Sequence, residues 1–306
     1  MKSKTSPVII PIASGKGGVG KSVFAASLAI ALANRGEETV AVDLDLGGSN
    51  LHSYLGLPNT NPGVGDYLKR KLDRLNDLIV PTPVANLRFL PGDGKTPFMA
   101  NISAKQRFLL LDELRQIPAR YVVIDLGAGS SVNTMNFFGL SNNGIIVTTL
   151  DTPAMMNALV FLRNFMFANI ISLARENLEI RRKLLDAYRR PANRENLTVE
   201  AVLAEIAQVD GALARRVGKR CSYFQPRLVF NMGDRPEDLA VADRMVATMK
   251  KTLSMASSTL GLILYDDTVR RAARKAEAFL PANPDSVYAR CLADIVGRLL
   301  RPGIGR

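Results

Sequence analysis

Sulfur and imidazole ligands are scarce in this chain of 306 residues, which has two cysteines, Cys221 and Cys291, and a single histidine, His52. The cysteines form no CxxC pair and neither lies near the histidine, so the sequence supports neither a disulfide framework nor a zinc site. This cysteine usage predicts a reducing, cytoplasmic compartment. We expect His52 to pack or cap locally rather than to catalyse.

Long hydrophobic runs are also missing. The longest apolar segments, such as residues 7–13 and 144–150, fall far below the roughly 18 residues that a membrane-spanning helix needs. We therefore expect no transmembrane helix. With 47% hydrophobic residues, the chain can bury a sizeable core, and we expect a single domain over residues 1–306 that carries an insertion.

Acidic residues are too few to balance the basic ones, which leaves a formal net charge of +12. A positive chain attracts phosphate-rich partners such as nucleic acid or anionic lipid, but the same charge can serve solubility alone. Lysine and arginine are spread along the chain without a dense basic tail, so both interpretations stay open.

Apolar, β-branched segments alternate with helical patterns along the chain, which is typical of a parallel sheet covered by helices. After the first of these segments, "KSVFAASLAIALANRG" predicts a buried helix that ends near Gly36. We therefore predict an α/β fold, with a mostly parallel, twisted sheet flanked by helices. The predicted strands are residues 8–13, 39–44, 86–90, 121–125, 144–150, 227–231 and 260–265.

The alternation is interrupted once, after the strand that ends near Leu150. About seventy residues precede the next strand, whereas a crossover between neighbouring strands needs only about a dozen. Helical patterns over residues 153–190 and 197–218, separated by "RRPANREN", predict an embedded helical insertion, which we place at residues 170–222. Its basic residues fit two alternatives: a solvated hairpin that braces the domain or a dimer, or a docking surface for a partner.

A glycine-rich loop follows the first predicted strand and opens the first helix. The stretch "SGKGGVGKS" contains the phosphate-loop pattern G-x-x-x-x-G-K-[ST] in the strand–loop–helix context that this pattern requires. Glycines let backbone N–H groups face phosphates, the lysine reaches the outer phosphates, and the serine hydroxyl can ligate Mg²⁺. The expected nucleotide-binding residues are Gly15, Lys16, Gly17, Gly18, Val19, Gly20, Lys21, Ser22 and Val23.

Two acidic segments follow other predicted strands. The strand in "YVVIDLGAG" ends at Asp125, the expected anchor for hydrated Mg²⁺ together with Ser22, and Gly129 lies in the adjoining switch loop. The strand in "VAVDLDLGGSN" ends at Asp43 and Asp45. Because ligands bind at the carboxyl ends of strands in open α/β sheets, we predict that these side chains belong to the nucleotide site.

The motif "KGGVGKS" is the feature by which the chain resembles the MinD/ParA ATPases, P-loop NTPases of the SIMIBI class with a deviant phosphate loop. In that family the first lysine crosses a dimer interface and contacts the phosphates bound by the partner subunit. The resemblance implies that Lys16 and Lys21 are both catalytic and that ATP holds two copies of the chain together as a homodimer. Facing phosphate clusters would repel each other without such added cations.

Other motifs resemble the branch of this family that contains MinD and the flagellar-number regulators (FlhG). "DLDLGGSN" has the form D-x-D-x-G-x-x-N, and this match implies that Asp45 positions the attacking water with support from Asp43 and Asn50. "DLGAG" has Gly127 where MinD has proline and is closer to the flagellar branch. "VFNM" carries Asn231 where the family has an asparagine that recognises adenine.

The resemblance implies an ATP-dependent, dimerising ATPase that acts as a spatial regulator, placing a division site or counting a structure such as flagella. It implies ATP and Mg²⁺ as cofactors, a protein partner or activator, and a location in the cytoplasm or at the inner face of the membrane. Two alternatives stay open: a ParA-like ATPase that binds nucleic acid non-specifically, and a nucleotide-gated binding module with little hydrolysis. Iron–sulfur relatives need cysteines between subunits, and we expect no cluster here.

The last predicted helix has an apolar stripe with two alternative uses. Helices of this kind in MinD-type proteins lie on membranes, whereas in other proteins they pack on their own sheet. We favour packing on the sheet, because the polar face carries the acidic residue Asp294 and few cations. The stripe consists of Val287, Tyr288, Cys291, Leu292, Ile295, Val296, Leu299 and Leu300.

Overall fold

A computed structural model describes residues 6–69, 74–92, 102–189, 198–275 and 277–301 of the chain. Its centre is an eight-stranded sheet with the order β3-β4-β2-β5-β1-β6-β7-β8. Neighbouring strands are parallel except for the pair β3 and β4. The strands are β1 Val8–Ala13, β2 Thr39–Leu44, β3 Val80–Pro81, β4 Leu87–Leu90, β5 Tyr121–Leu126, β6 Ile145–Thr149, β7 Arg227–Gly233 and β8 Ser258–Leu264.

Helices cover both faces of this sheet. They are α1 Lys21–Ala33, α2 Leu51–Tyr54, α3 Val64–Leu68, α4 Ala104–Arg115, α5 Val132–Phe138, α6 Thr152–Leu173, α7 Leu178–Arg189, α8 Val199–Val209, α9 Gly211–Tyr223, α10 Ala240–Leu253, α11 Asp267–Lys275, α12 Phe279–Ala282 and α13 Val287–Leu299. Short 3₁₀ turns lie at Leu75–Leu78 and Pro236–Leu239.

The predicted α/β fold is confirmed, and each predicted strand ends within two residues of an observed one. The exception is β3, which the sequence patterns do not indicate. It has two residues, one of them Pro81, and it pairs antiparallel at the edge of the sheet. Two residues are too few to show the alternation by which strands are recognised, and proline is confined to such edge positions.

Side chains alternate between the two faces of the sheet, and each face has its own core. In β1, Ile10 and Ile12 enter the core beneath α1 and α13, whereas Ile9 and Ala13 enter the core beneath α4, α5 and α6. Because both faces are covered, the central strands are mostly apolar, and the buried carboxylates Asp43 and Asp125 lie near the carboxyl ends of β2 and β5.

The apolar stripe of α13 packs on the chain's own sheet. Its residues Tyr288, Leu292, Ile295, Val296 and Leu299 are buried in the same core as α1 and β8. The preference for packing over membrane contact is therefore confirmed.

Helix α6 has the length and composition of a membrane span, with 22 residues and a mean hydropathy of 1.4 over its most apolar window. We expected no such helix because the sequence has no long unbroken apolar run. Helix α6 did not meet that criterion, since Asn157, Arg163 and Asn164 interrupt its apolar residues. Eight of its side chains are buried, seven of them in the core beneath α4, α5 and α6, so we assign α6 to the interior of the domain.

The segment between β6 and β7 is more divided than the sequence predicts. The pattern over residues 153–190 forms two helices, α6 and α7, and the pattern over residues 197–218 forms α8 and α9. The second break lies at Asp210, whose Oδ1 accepts a hydrogen bond from the backbone N–H of Leu213 at 2.8 Å and so caps α9. Residues 190–197, which contain most of the predicted break, lie outside the described residues.

These helices share the main core rather than forming a separate one. Ile180, Val202 and Val217, from α7, α8 and α9, are buried together with the helices on that face of the sheet. Phe224, directly after α9, packs its ring edge-on against Phe165 of α6 with centroids 4.7 Å apart. The extent 170–222 of the insertion stays a prediction, and both boundary residues lie inside helices.

The substitution Phe224→Ala tests whether this packing stabilises the domain. Phe224 is 2% exposed, so its removal leaves a cavity between α6 and α9, and we expect the free energy of unfolding to fall by about 3–5 kcal/mol. Chemical denaturation measures it. Phe108→Ala is the matched control, because Phe108 is 71% exposed and its loss should change stability by no more than about 0.5 kcal/mol. Equal effects of the two substitutions would show that α7–α9 pack loosely.

Candidate active site

Three loops meet at one edge of the sheet because their strands are neighbours in the order β2-β5-β1. Asp43 of β2 and Ile12 of β1 are both register partners of Asp125 in β5. The loop after β1 carries the glycine-rich motif, and those after β2 and β5 carry the acidic motifs. The predicted convergence of these segments at the carboxyl ends of parallel strands is thus observed.

The glycine-rich loop needs glycine for two different reasons. Gly18 and Gly20 have φ angles of +82° and +83°, in the left-handed region that other residues rarely adopt. Gly15 lies against α6, where an added Cβ would be 2.2 Å from the carbonyl carbon of Asn157. At Gly17 and Gly18 an added Cβ would meet no atom within 4 Å, so this side of the loop is open.

Lys21 begins α1 directly behind the loop and is buried. Its Nζ donates a hydrogen bond to Asp125 Oδ1 at 2.5 Å and one to Ser22 Oγ at 3.3 Å. Asp45 Oδ2 lies 4.0 Å from the same nitrogen. A single cation therefore faces the two acidic loops and the serine of the motif.

Asp43 is buried and organises the loop after β2. Its Oδ1 accepts from the backbone N–H of Asp45 at 3.0 Å, and its Oδ2 accepts from that of Leu51 at 3.1 Å. Burial, with the nearby Asp125 carboxylate as the second cause, raises the pKa of Asp43 to about 7. Asp43 thus shapes the loop that carries Asp45 and does not itself open to solvent.

Asp125 combines one paired and one unpaired oxygen. Oδ1 accepts a hydrogen bond from the Lys21 ammonium, whereas Oδ2 is buried and has no hydrogen-bond partner among the residues that the structure describes. Burial raises the pKa of Asp125, and the Lys21 ammonium opposes that effect. An unpaired buried carboxylate oxygen beside a serine hydroxyl fits a magnesium ion held through its water shell.

Lys16 points away from the buried site. Its Nζ lies 3.1 Å from Oδ1 of Asp151, the residue that caps α6 by accepting from the backbone N–H of Ala154. Hydrogen bonds from Thr149, Ala154 and Lys16, in that order of size, lower the pKa of Asp151 to about 2. Lys16 and Asp151 have side chains 36% and 47% exposed, so this pair is at the surface.

The remaining predicted switch residues, Gly129 and Asn50, lie in the loops after β5 and β2 and differ in their contacts. An added Cβ at Gly127 would be 3.3 Å from Asp45 Oδ1, so the loops after β2 and β5 touch. Gly129 has a φ of +76° and donates its N–H to Ser14 at 3.0 Å, which links that loop to the phosphate loop. Asn50 is exposed, and its side chain donates to Gly48 within its own loop.

A cavity of about 280 Å³ adjoins the phosphate loop at the end of β7. Asn231 lines it and donates from Nδ2 to the carbonyl of Val19 at 2.9 Å, which ties β7 to the loop. The same Nδ2 would be 2.2 Å from a Cβ at Gly20, so glycine is required there. Other lining residues include Val23, Tyr54, Met232, Leu264, Tyr265 and Val269, together with the charged Asp266 and Arg270.

Sequence reasoning did not find Asp151 or the aromatic walls of this cavity. The sequence "DTP" after β6 does indicate the start of a helix, because aspartate is a common cap before a first turn that contains proline. Nothing local connected that helix start with Lys16. His52, as expected, makes a local contact, with Ser53.

The fold and the site together define a P-loop nucleotide-binding protein of the α/β class. The chain matches the CobQ/CobB/MinD/ParA nucleotide binding domain model over residues 10–279, and it belongs to that family. The resemblance drawn from "KGGVGKS" is therefore confirmed.

Known proteins similar to the chain include two from Helicobacter pylori. The septum site-determining protein MinD is 29% identical over 204 residues, which is 64% of this chain and 73% of that protein. The flagellum site-determining protein YlxH is 30% identical over 184 residues, or 57% and 62% of the two chains. The chain spans from about half to about three quarters of the length of such relatives.

Among solved structures, the septum site-determining protein MinD of Pyrococcus horikoshii, complexed with Mg-ADP, superposes with a TM-score of 0.65. The superposition covers 96% of each chain at 20% sequence identity. This likeness confirms the fold.

The substitution Gly15→Ala tests the contact between the loop and α6. The added methyl would overlap the backbone at Asn157, so we expect the free energy of unfolding to fall by about 1–3 kcal/mol. Gly17→Ala is the control, because the same methyl enters open space and should leave stability unchanged or slightly higher. Thermal or chemical unfolding of both variants measures the difference. A Gly15→Ala protein as stable as Gly17→Ala would contradict the close approach.

Proposed function

We propose that the chain binds ATP with Mg²⁺ at the phosphate loop, dimerises on the bound nucleotide and hydrolyses it. The observation that carries this proposal is the buried Lys21, which faces Asp125, Asp45 and Ser22 behind a loop that is open on its other side. The matched family is described as a nucleotide binding domain, and the Pyrococcus horikoshii structure is complexed with Mg-ADP, which supports the same ligand class here.

The phosphates would lie over Gly15–Ser22, where backbone N–H groups and the start of α1 favour negative charge. Lys21 would transfer its contact from Asp125 to the outer phosphates. Ser22 and, through water, Asp125 would hold Mg²⁺, which when bound neutralises charge on the phosphate oxygens. Oδ2 of Asp125, which has no hydrogen-bond partner in the described part of the chain, supports this role.

Asp45 is the residue we assign to the attacking water. Its side chain is 29% exposed and its Oδ2 lies 4.0 Å from Lys21, so the carboxylate lies at the open edge of the site. Asp43, by fixing the backbone of the loop, would position Asp45 rather than contact the water itself. Asn50 and Gly129 belong in this proposal to the loops that adjust when nucleotide binds.

Lys16 would serve the nucleotide of the other subunit. An exposed ion pair such as the one it makes with Asp151 is worth only about 0–1 kcal/mol, so the lysine can leave it at little cost. A second copy of the chain facing this loop would bring a second set of phosphates within its reach. The exposed position of Lys16, in contrast to the buried Lys21, supports two different roles for the two lysines.

The base would occupy the cavity beside the loop. Asn231 uses its amide N–H for the carbonyl of Val19, which leaves its amide oxygen as the group to face a base. An acceptor at that position fits the exocyclic amine of adenine better than the carbonyl oxygen of guanine. This orientation supports ATP as the nucleotide.

At the level of the cell, we propose a spatial regulator that works in the cytoplasm or at the inner face of the membrane with a protein partner. The relatives are named for determining a septum site and a flagellum site, which supports a positioning role. Turnover of ATP stimulated by anionic lipid vesicles would favour this role. Stimulation by DNA would favour the ParA-like alternative, and no turnover under either condition would favour a nucleotide-gated binding module.

The substitution Asp45→Ala separates hydrolysis from binding. We expect ATP affinity and dimerisation to be retained while the hydrolysis rate falls by about 10²-fold or more, because a positioned catalytic group is lost. Phosphate release and equilibrium binding of a fluorescent ATP analogue measure the two effects. Asp77→Ala removes an exposed carboxylate of the 3₁₀ turn before β3, outside the predicted site residues, and this variant should hydrolyse ATP at the parent rate. Loss of ATP binding in Asp45→Ala would place this residue on the metal instead.

The substitution Lys16→Ala tests the role across the dimer. We expect the variant to bind ATP, because Lys21 still meets the phosphates in its own chain, yet to stay monomeric with ATP. Light scattering after size-exclusion chromatography with a non-hydrolysable analogue measures this. Lys105→Ala, at an exposed position of α4, should dimerise normally. A Lys16→Ala dimer of parental affinity would contradict the proposal.

A further inference from the structure

A second cavity, of about 430 Å³, lies away from the nucleotide site. It is an open groove between α4, α5, α6 and α9, on the face of the sheet that carries the helices after β6. None of its lining residues belongs to the phosphate loop or to the acidic loops. Whatever it binds is therefore separate from the proposed ATP chemistry.

The groove is lined by apolar side chains held by the core and by the polar side chains of Asn136, Asn169 and Ser172. Leu111, Met135 and Leu140 line it as partly buried residues packed against the main core, and Phe165 beneath them is 1% exposed. Val132 extends the apolar surface outward and is 58% exposed. Apolar surface of this kind in a concave position is typical of a recognition site.

Two arginines supply the charge. Arg115 of α4 and Arg220 of α9 are the charged residues that line the groove, and within the described part of the chain neither has a carboxylate at salt-bridge distance. The guanidinium of Arg220 stacks over the Phe224 ring, 4.5 Å from its centroid, and is 5.3 Å from that of Tyr223. This stacking holds one cation at the rim in a fixed position.

We propose that this groove docks an acidic amphipathic helix of a protein partner. The apolar walls would take the helix's apolar face, as in helix-in-groove recognition. The two arginines would pair with carboxylates on its flanks, which is the geometry that guanidinium groups favour. Two cations beside a cleft of mixed polarity are too few for a nucleic-acid backbone, whose binding depends on many phosphate contacts. A concave groove also does not fit the flat surface of a bilayer.

Selection from a display library tests the proposal with the full-length chain as bait. The library holds single helices of about five turns with a constant apolar face and randomised charged positions. We expect enriched helices to be rich in Asp and Glu, and the enriched consensus peptide to bind by fluorescence anisotropy. Ala168→Arg, at an exposed position inside the groove, and the pair Arg115→Glu with Arg220→Glu should each weaken binding by at least about tenfold, on the scale of one or two charge-assisted contacts.

The control is the pair Arg244→Glu with Lys251→Glu, which makes the same net charge change at two exposed positions of α10 and should leave peptide binding intact. All variants are compared for thermal stability and for ATP binding, so that a folding defect is recognised. If the Arg→Glu pair has such a defect, the conservative pair Arg115→Gln with Arg220→Gln takes its place. The proposal is overturned if no helix is enriched, if the enriched helices carry no acidic bias, or if binding persists in the groove variants. None of these outcomes bears on whether the chain binds ATP.

Discussion

The contact between the buried ammonium of Lys21 and the buried carboxylate of Asp125 is the interaction on which the site depends. An isolated charge in this apolar, strand-rich interior would be costly, and the 2.5 Å contact offsets that cost for both groups. It exists because the strand order sets the end of β5 beside the loop after β1. In our proposal the negative phosphates of the nucleotide replace Asp125 beside Lys21, and the positive Mg²⁺ replaces Lys21 beside Asp125. Each buried charge therefore exchanges one partner of opposite sign for another when nucleotide binds.

The two lysines of "KGGVGKS" differ because their surroundings differ. Lys21 begins a helix that is buried from Phe24 to Ala33, and its hydrogen bonds are to Ser22 and Asp125 of its own chain. Lys16 lies on the exposed side of the loop and is held by Asp151 in a contact of little energy. A buried lysine and an exposed lysine five residues apart therefore suit a cis and a trans role on the same phosphates.

Much of this could be predicted from the sequence, because the phosphate loop and the strand ends at Asp43 and Asp125 are patterns within a few consecutive residues. The pair of Lys16 with Asp151 could not, since 135 residues separate the two and only the pairing of β1 with β6 brings them together. The two breaks inside the predicted helices were missed for a related reason. Helices α7 and α9 contact α6, and α8 contacts α10, so tertiary contacts that the pattern of apolar residues does not show accompany each break.

The claim that Lys16 acts on the other subunit's nucleotide is tested most directly by mixing two inactive chains. Lys16→Ala retains its own Asp45, and Asp45→Ala can still donate Lys16, so a mixed dimer contains one complete site. The measurement is the rate of ATP turnover in the equimolar mixture. Our account predicts a rate well above the sum of the two chains measured separately. A rate equal to that sum at every mixing ratio would contradict it, because Lys16 would then serve only its own subunit.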